Sequence, residues 1–146
     1  MAATIVVGYD GSEHAAKALD VAVEFAKMMP DSEIMIACAQ DRPGPAVGFR
    51  GAGFGVEEMW DELAKTIEEE LDGAAARVRA AGVKVATACT PDRPDVTIVH
   101  IARETNARLI VVGTKGAGAR HGEKSQLGST ATRVLHEAGG IPVLVV

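Results

Sequence analysis

Short apolar runs alternate with amphipathic helical stretches along the whole chain, and few folds accept that order. Ile5-Val-Val7 precedes Ala15, Ala18, Leu19, Ala22, Val23 and Ala26, which share one helical face, with Ser12 placed to cap that helix. Pro30-Asp31-Ser32 breaks the helix, and Ile34 to Ala39 reads as a second strand, apolar enough to be central. Glu57 to Ala81 reads as a long helix. Met59, Leu63, Ile67, Leu71, Ala74 and Val78 form its apolar face, Trp60 its edge, and Glu57, Glu58, Asp61, Glu68 and Asp72 its wet side. Gly82 stops it before a third strand, Val83 to Cys89. Pro94 suits the first position of the next helix, in which Ile98, Ile101, Ala102 and Thr105 face inward. Leu109 to Val112 is a fourth strand. Leu127, Ala131, Val134, Leu135 and Ala138 mark a last helix, ended by Gly139-Gly140, and Pro142 to Val146 is a fifth strand.

Five strands alternating with four helices imply an α/β protein: right-handed crossovers, a parallel sheet and helices on both faces. The flavodoxin-like strand order and the order 3-2-1-4-5 are both open. Either one puts strands one and four beside a reversal of winding, where ligands sit beyond the carboxyl ends of the strands. The expectation taken is a five-stranded parallel sheet of order 3-2-1-4-5 in a single domain over residues 1–146. Aromatic residues make up 3% of the chain, so the core must be Val, Ile, Leu and Ala, as in parallel sheets covered by helices. In that order the last strand lies at the sheet edge, yet Val143-Leu-Val-Val146 carries no charge. An unprotected apolar edge invites pairing with a second chain, so a homodimer through this strand is expected.

A net charge of −5 argues against nucleic acid and anionic membrane as partners. Met1-Ala-Ala-Thr4 enters the first strand without a basic leader or a long apolar segment, which predicts a cytoplasmic protein with no membrane anchor. The two cysteines, Cys38 and Cys89, make no disulfide framework. They fall near the ends of strands expected to be neighbours and read as buried free thiols. His14, His100 and His136 read as helix-surface residues.

Between the fourth strand and the last helix lies Gly113 to Thr132, GTKGAGARHGEKSQLGSTAT. A glycine-rich connection of this kind lets backbone N–H groups close on an anion without Cβ interference. The helix behind it adds about half a positive charge. Ser129 and Thr130 supply hydroxyls there, one as N-cap and one for a ligand. Familiar phosphate motifs nonetheless fail when spelled out. Glu123 interrupts a Walker-type Gly-Lys-Ser, and His121 stands where a dinucleotide fingerprint needs glycine. Lys115 can neutralise phosphate charge. Magnesium would arrive with the phosphates, because carboxylates, His and Cys show no ligand spacing. Asp10, after the first strand, reaches the same crevice and can accept hydrogen bonds from a ligand's hydroxyls; its alternative role is to stabilise a helix N-terminus.

Gln40 to Gly55 is too long for a tight connection and reads as a mobile loop, with Phe49 or Phe54 available for a ligand lid. Enzymatic signals are scarce. The run Val6-Val-Gly-Tyr-Asp-Gly-Ser12 has Gly8 where an aspartyl-phosphate phosphatase carries its nucleophile, and there is no Gly-x-Ser-x-Gly elbow. His121 is the one conceivable general base near a terminal phosphate, so at most weak phosphate hydrolysis is expected.

The start IVVGYDGSEHAAKAL, the pair GTKG and LGSTATRVL, and the ending IPVLVV resemble the universal stress protein family over nearly the full chain. Nucleotide-binding members carry G-x2-G-x9-G-Ser/Thr around the phosphates. The resemblance places that pattern on Gly113, Gly116, Gly128 and Ser129, with Thr130 beside them. The family's adenosine-holding aspartate corresponds to Asp10, and its backbone contact to adenine to Ala39. Eleven residues separate Gly116 from Gly128 here, against nine in the pattern, the extra length falling in the polar run Glu123-Lys-Ser-Gln126. The resemblance implies an adenine nucleotide α-hydrolase-like fold and a dimeric protein that binds ATP, AMP or another adenine nucleotide, with or without Mg2+. Its expected role is that of a stress-response sensor or regulator. Two alternatives stay open, an interaction module of the same fold that binds no nucleotide and a slow nucleotide hydrolase.

Overall fold

The computed structural model describes residues 3–40, 55–115 and 127–146. The elements run β1 (Ala3–Gly8), α1 (Glu13–Met28), β2 (Ser32–Ala39), α2 (Gly55–Ala80), β3 (Lys84–Thr90), α3 (Pro94–Glu104), β4 (Leu109–Val112), α4 (Ser129–Glu137) and β5 (Val143–Val145). All pairings are parallel and the strand order is β3-β2-β1-β4-β5, which settles the choice between the two orders the alternation allows. Residues 41–54 of the expected loop, with its Phe49 or Phe54 lid, the glycine Gly116 and His121 all fall outside the described residues.

Alternating side chains along the strands build a core layer on each face of the sheet. Ile5 and Val7 of β1, Ile34, Ile36 and Cys38 of β2 and Val111 of β4 pack under α1 and α2. Val6, Ala37, Ile110 and Val112 pack under α3 and α4. Helix α1 buries Ala15, Ala18, Leu19, Ala22 and Ala26, and Ser12 caps it by accepting from the Ala15 N–H at 3.1 Å. Among the described residues no helix is long and apolar enough to cross a membrane.

Two apolar faces expected in the core are only partly there. On α2, Leu71, Ala74 and Val78 are buried, but Met59 is 56% and Leu63 46% exposed. The reason is length. A helix of 26 residues spans about 39 Å, whereas the seven residues of β3 span about 23 Å, so the N-terminal half of α2 overhangs the carboxyl end of the sheet. On α4, Ala131, Val134 and Ala138 are buried while Leu127 and Leu135 are exposed. The three-residue strand β5 ends the sheet there and leaves nothing beneath that flank. Cys89 is likewise exposed, not buried, because β3 is the other edge of the sheet.

Candidate functional site

The winding reverses between β1 and β4, and a cleft opens beyond their carboxyl ends. Its floor is apolar, with Ala37, Ile98 and Val112, and its rim carries Asp10, Thr114, Lys115 and Thr130. Of the residues singled out above, Asp10, Ala39, Gly113, Gly128 and Thr130 all line this cleft. Ser129 does not; it is the exposed first residue of α4. The residue that flanks α4 as its N-cap is Gly128, which has no side chain to donate or accept. The cap expected from one of Ser129 and Thr130 is thereby corrected: glycine is itself an accepted N-cap, and its choice leaves the helix end open.

That open end supplies the cleft with backbone donors. Thr132 N–H makes the first bond to Gly128 C=O, at 3.1 Å, so the N–H groups of Ser129, Thr130 and Ala131 have no intrahelical acceptor. No side chain caps α4, and its first turn holds no acidic residue. Helix α1 is different. Ser12 caps it and Glu13 offsets its dipole. In α3 the buried Asp95 lies in the first turn and takes that role. Asp95 also faces Arg93 at 3.2 Å and Arg133 at 4.0 Å, which ties the start of α3 to α4.

The entry and exit of the glycine segment are held together. Gly128 N–H donates to Thr114 C=O at 2.6 Å, and Thr114 N–H to Val146 C=O at 2.8 Å. The Gly128 amide is therefore committed to the protein, and the donors that face the cleft come from the helix behind it. At Gly113 the end of β4 passes so close to α1 that a Cβ would stand 2.8 Å from His14 Cβ and 3.0 Å from its carbonyl. Thr114 Oγ1 lies 3.4 Å from His14 Nδ1, so β4 and α1 also meet through side chains there.

Asp10 Oδ1 accepts from Ser12 N–H at 2.9 Å, which gives the carboxylate a local role as well as a place on the cleft. Tyr9 lines both this cleft and a second hollow shared with Asp10, Cys38, Ile67 and Glu70 under α2. Burial first, and then the Glu70 charge, push its phenol above the ordinary range. Thr114 and Tyr9 were missed from sequence, although each adjoins a residue that was singled out. Asp95 was missed as well, since an acidic residue after a proline at a helix start usually signals only capping. Among the described residues no group of three His, Cys, Asp or Glu side chains is placed to hold a metal ion.

The fold is a doubly wound parallel sheet with a glycine-flanked helix end, lacking a side-chain cap, at its switch point, where open α/β sheets bind their ligands. The universal stress protein family model matches residues 1–146, and the chain belongs to that family. It is 34% identical to universal stress protein MJ0531 of Methanocaldococcus jannaschii, over 97% of this chain and 80% of the relative. It is 28% identical to universal stress protein YxiE of Bacillus subtilis, over 97% of each. Among solved structures, the universal stress protein UspA of Lactobacillus plantarum superposes with a TM-score of 0.81 at 21% identity, covering 99% of this chain and 97% of that one. A universal stress protein in complex with cAMP superposes with a TM-score of 0.71 at 28% identity, over 99% and 96%.

Proposed function

We propose that the protein binds an adenine nucleotide in this cleft and acts as a cytoplasmic stress-response sensor or regulator, through a dimer. The observation that carries the reading is the start of α4, an uncapped helix N-terminus without acidic residues that opens on the β1/β4 cleft. The N–H groups of Ser129, Thr130 and Ala131 and the Thr130 hydroxyl would meet the phosphates, with Lys115 balancing charge. The apolar floor suits a purine, Asp10 would accept from ribose hydroxyls, and the backbone at Ala39 would meet the adenine edge. Gly113 and Gly128 keep the backbone close, and Gly116 is assigned to the phosphates by the family pattern alone. Support comes from the relative that binds cAMP in the same fold. Mg2+, where it takes part, accompanies ATP as the counter-ion of its phosphates. Occupancy, not turnover, would carry the signal, because a phosphate chain joining the end of β4 to α4 alters the surface a partner meets.

Melting curves with ATP, AMP and cyclic AMP test this. A ligand at a hundredfold above its dissociation constant adds about 2.7 kcal/mol, a rise of several degrees. The rise should shrink in Asp10→Ala and Thr130→Val, and no shift with any of the three nucleotides overturns the reading. The interaction module without nucleotide has one observation in its favour: Asp10 Oδ1 and the Gly128 N–H already have protein partners. The same null result would favour it. Phosphate release measured against a Ser129→Ala control tests slow hydrolysis.

A further inference from the structure

Cys38 and Cys89 stand opposite each other as register partners in the β2/β3 ladder, between the pairs Ala37 with Ala88 and Ala39 with Thr90. Partners in a parallel ladder point to the same face, here the one that packs under α1 and α2. Neighbouring strands about 4.8 Å apart set the two Cα atoms inside the range of about 4.4–6.8 Å that a disulfide spans. The ladder continues past them, with Gln40 N–H donating to Thr90 C=O at 2.7 Å, so the pair is held from both sides. One thiol is buried and the other exposed. Cys38 lines the second hollow with Tyr9, Asp10 and Glu70, while Cys89 meets solvent on the edge strand. We propose that Cys38 and Cys89 form a redox dithiol, which closes to an intramolecular disulfide by exchange with a low-molecular-weight disulfide such as oxidised glutathione.

The asymmetry of the pair sets the order of events. Burial first, and then the charge and hydrogen bonding of Cys89, push the Cys38 thiol up to about 12, so Cys38 waits as a protonated thiol. The exposed Cys89 thiolate attacks one sulfur of the oxidant, forming a mixed disulfide and releasing one glutathione thiolate. That step removes the Cys89 charge, one of the causes that hold the Cys38 proton in place. Cys38 then loses its proton and attacks the Cys89 sulfur. The protein disulfide forms, the mixed disulfide breaks, and the second glutathione thiolate departs and takes a proton. Two protein thiols are oxidised and one small disulfide is reduced to two thiols, so the electrons balance. This site owes nothing to the nucleotide reading.

The test uses the full-length reduced chain and excess oxidised glutathione, with thiols then alkylated under denaturing conditions and the intact protein weighed. The chain has two cysteines, so an intramolecular bridge has one possible connectivity. The expected product is a monomer lighter by two hydrogens, with no alkylatable thiol, restored by dithiothreitol. Cys38→Ser should stop at a stable glutathione adduct on Cys89, and Cys38→Ala replaces it should the buried hydroxyl prevent folding. Cys89→Ser should keep Cys38 unmodified while folded. Wild type that stays reduced, accumulates the adduct without closing, or forms linked dimers overturns the proposal. Ready glutathionylation of Cys38 in Cys89→Ser overturns the assignment of Cys89 as the attacking thiol.

Discussion

At Gly113 and Gly73 the same substitution should have opposite signs. Gly113→Ala drives a Cβ to within 2.8 Å of His14 Cβ and against its backbone, which cannot move without shifting α1. The expected cost is about 1–3 kcal/mol. Gly73→Ala, in the middle of α2 with nothing within 4 Å, should gain about 0.5–1 kcal/mol from helix propensity. Urea unfolding of the two variants beside the parent checks the pair, and equal effects would show that the Gly113 contact is not tight. Single residues were partly legible beforehand. Asp10, Gly113 and Thr130 stand out by type and position. The closeness of Gly113 to His14 is invisible in a sequence, because it depends on how α1 lies against β4.

Among elements, the contrast between the starts of α1 and α4 is the informative one. Ser12→Ala removes a side-chain acceptor from the Ala15 N–H and should cost about 1 kcal/mol. Ser129→Ala removes no cap, so its stability should stay within about 0.5 kcal/mol of the parent. Thermal unfolding without ligand separates the two, and an equal loss would restore Ser129 as a cap. The helix and strand pattern was readable because apolar periodicity changes cleanly between strand and helix. What it could not reveal was how far a face stays covered. Met59 and Leu63 continue the apolar row of Leu71 and Val78 without a break, and only the shortness of β3 leaves them in solvent.

For the whole molecule, two expectations concern the sheet and its ionisation. On either side of β5, Pro142 C=O and Val146 N–H bond to β4, so by the parallel pattern the N–H and C=O of Val143 and Val145 point away from the sheet. Val145→Pro should therefore keep the fold while abolishing pairing with a second chain. Light scattering should show a dimer for the parent and a monomer for the variant. A parent that is monomeric at micromolar concentration sinks the dimer.

The second expectation is alkaline instability. The folded state keeps the Cys38 proton up to about 12, whereas the free thiol loses it near 9.0. Between these values the folded state binds more protons than the unfolded one, so stability is intact below pH 9 and falls as pH rises toward 12. Tyr9, raised from 10.0, acts in the same direction. Melting temperature against pH should decline more gently in Cys38→Ala, and an identical slope would remove Cys38 as a cause. The strand order needed the three-dimensional arrangement, since alternation alone allows two windings. Which cysteines face each other was only half legible for the same reason.

The hydrogen bond from Gly128 to Thr114 brings the two feet of the glycine segment together at one point of the scaffold. Whatever is spliced between those feet meets a gate already shut, so doubling the insert adds only about 0.6 kcal/mol of closure entropy. The frame can thus host a longer insert there with its sheet untouched, a natural grafting port.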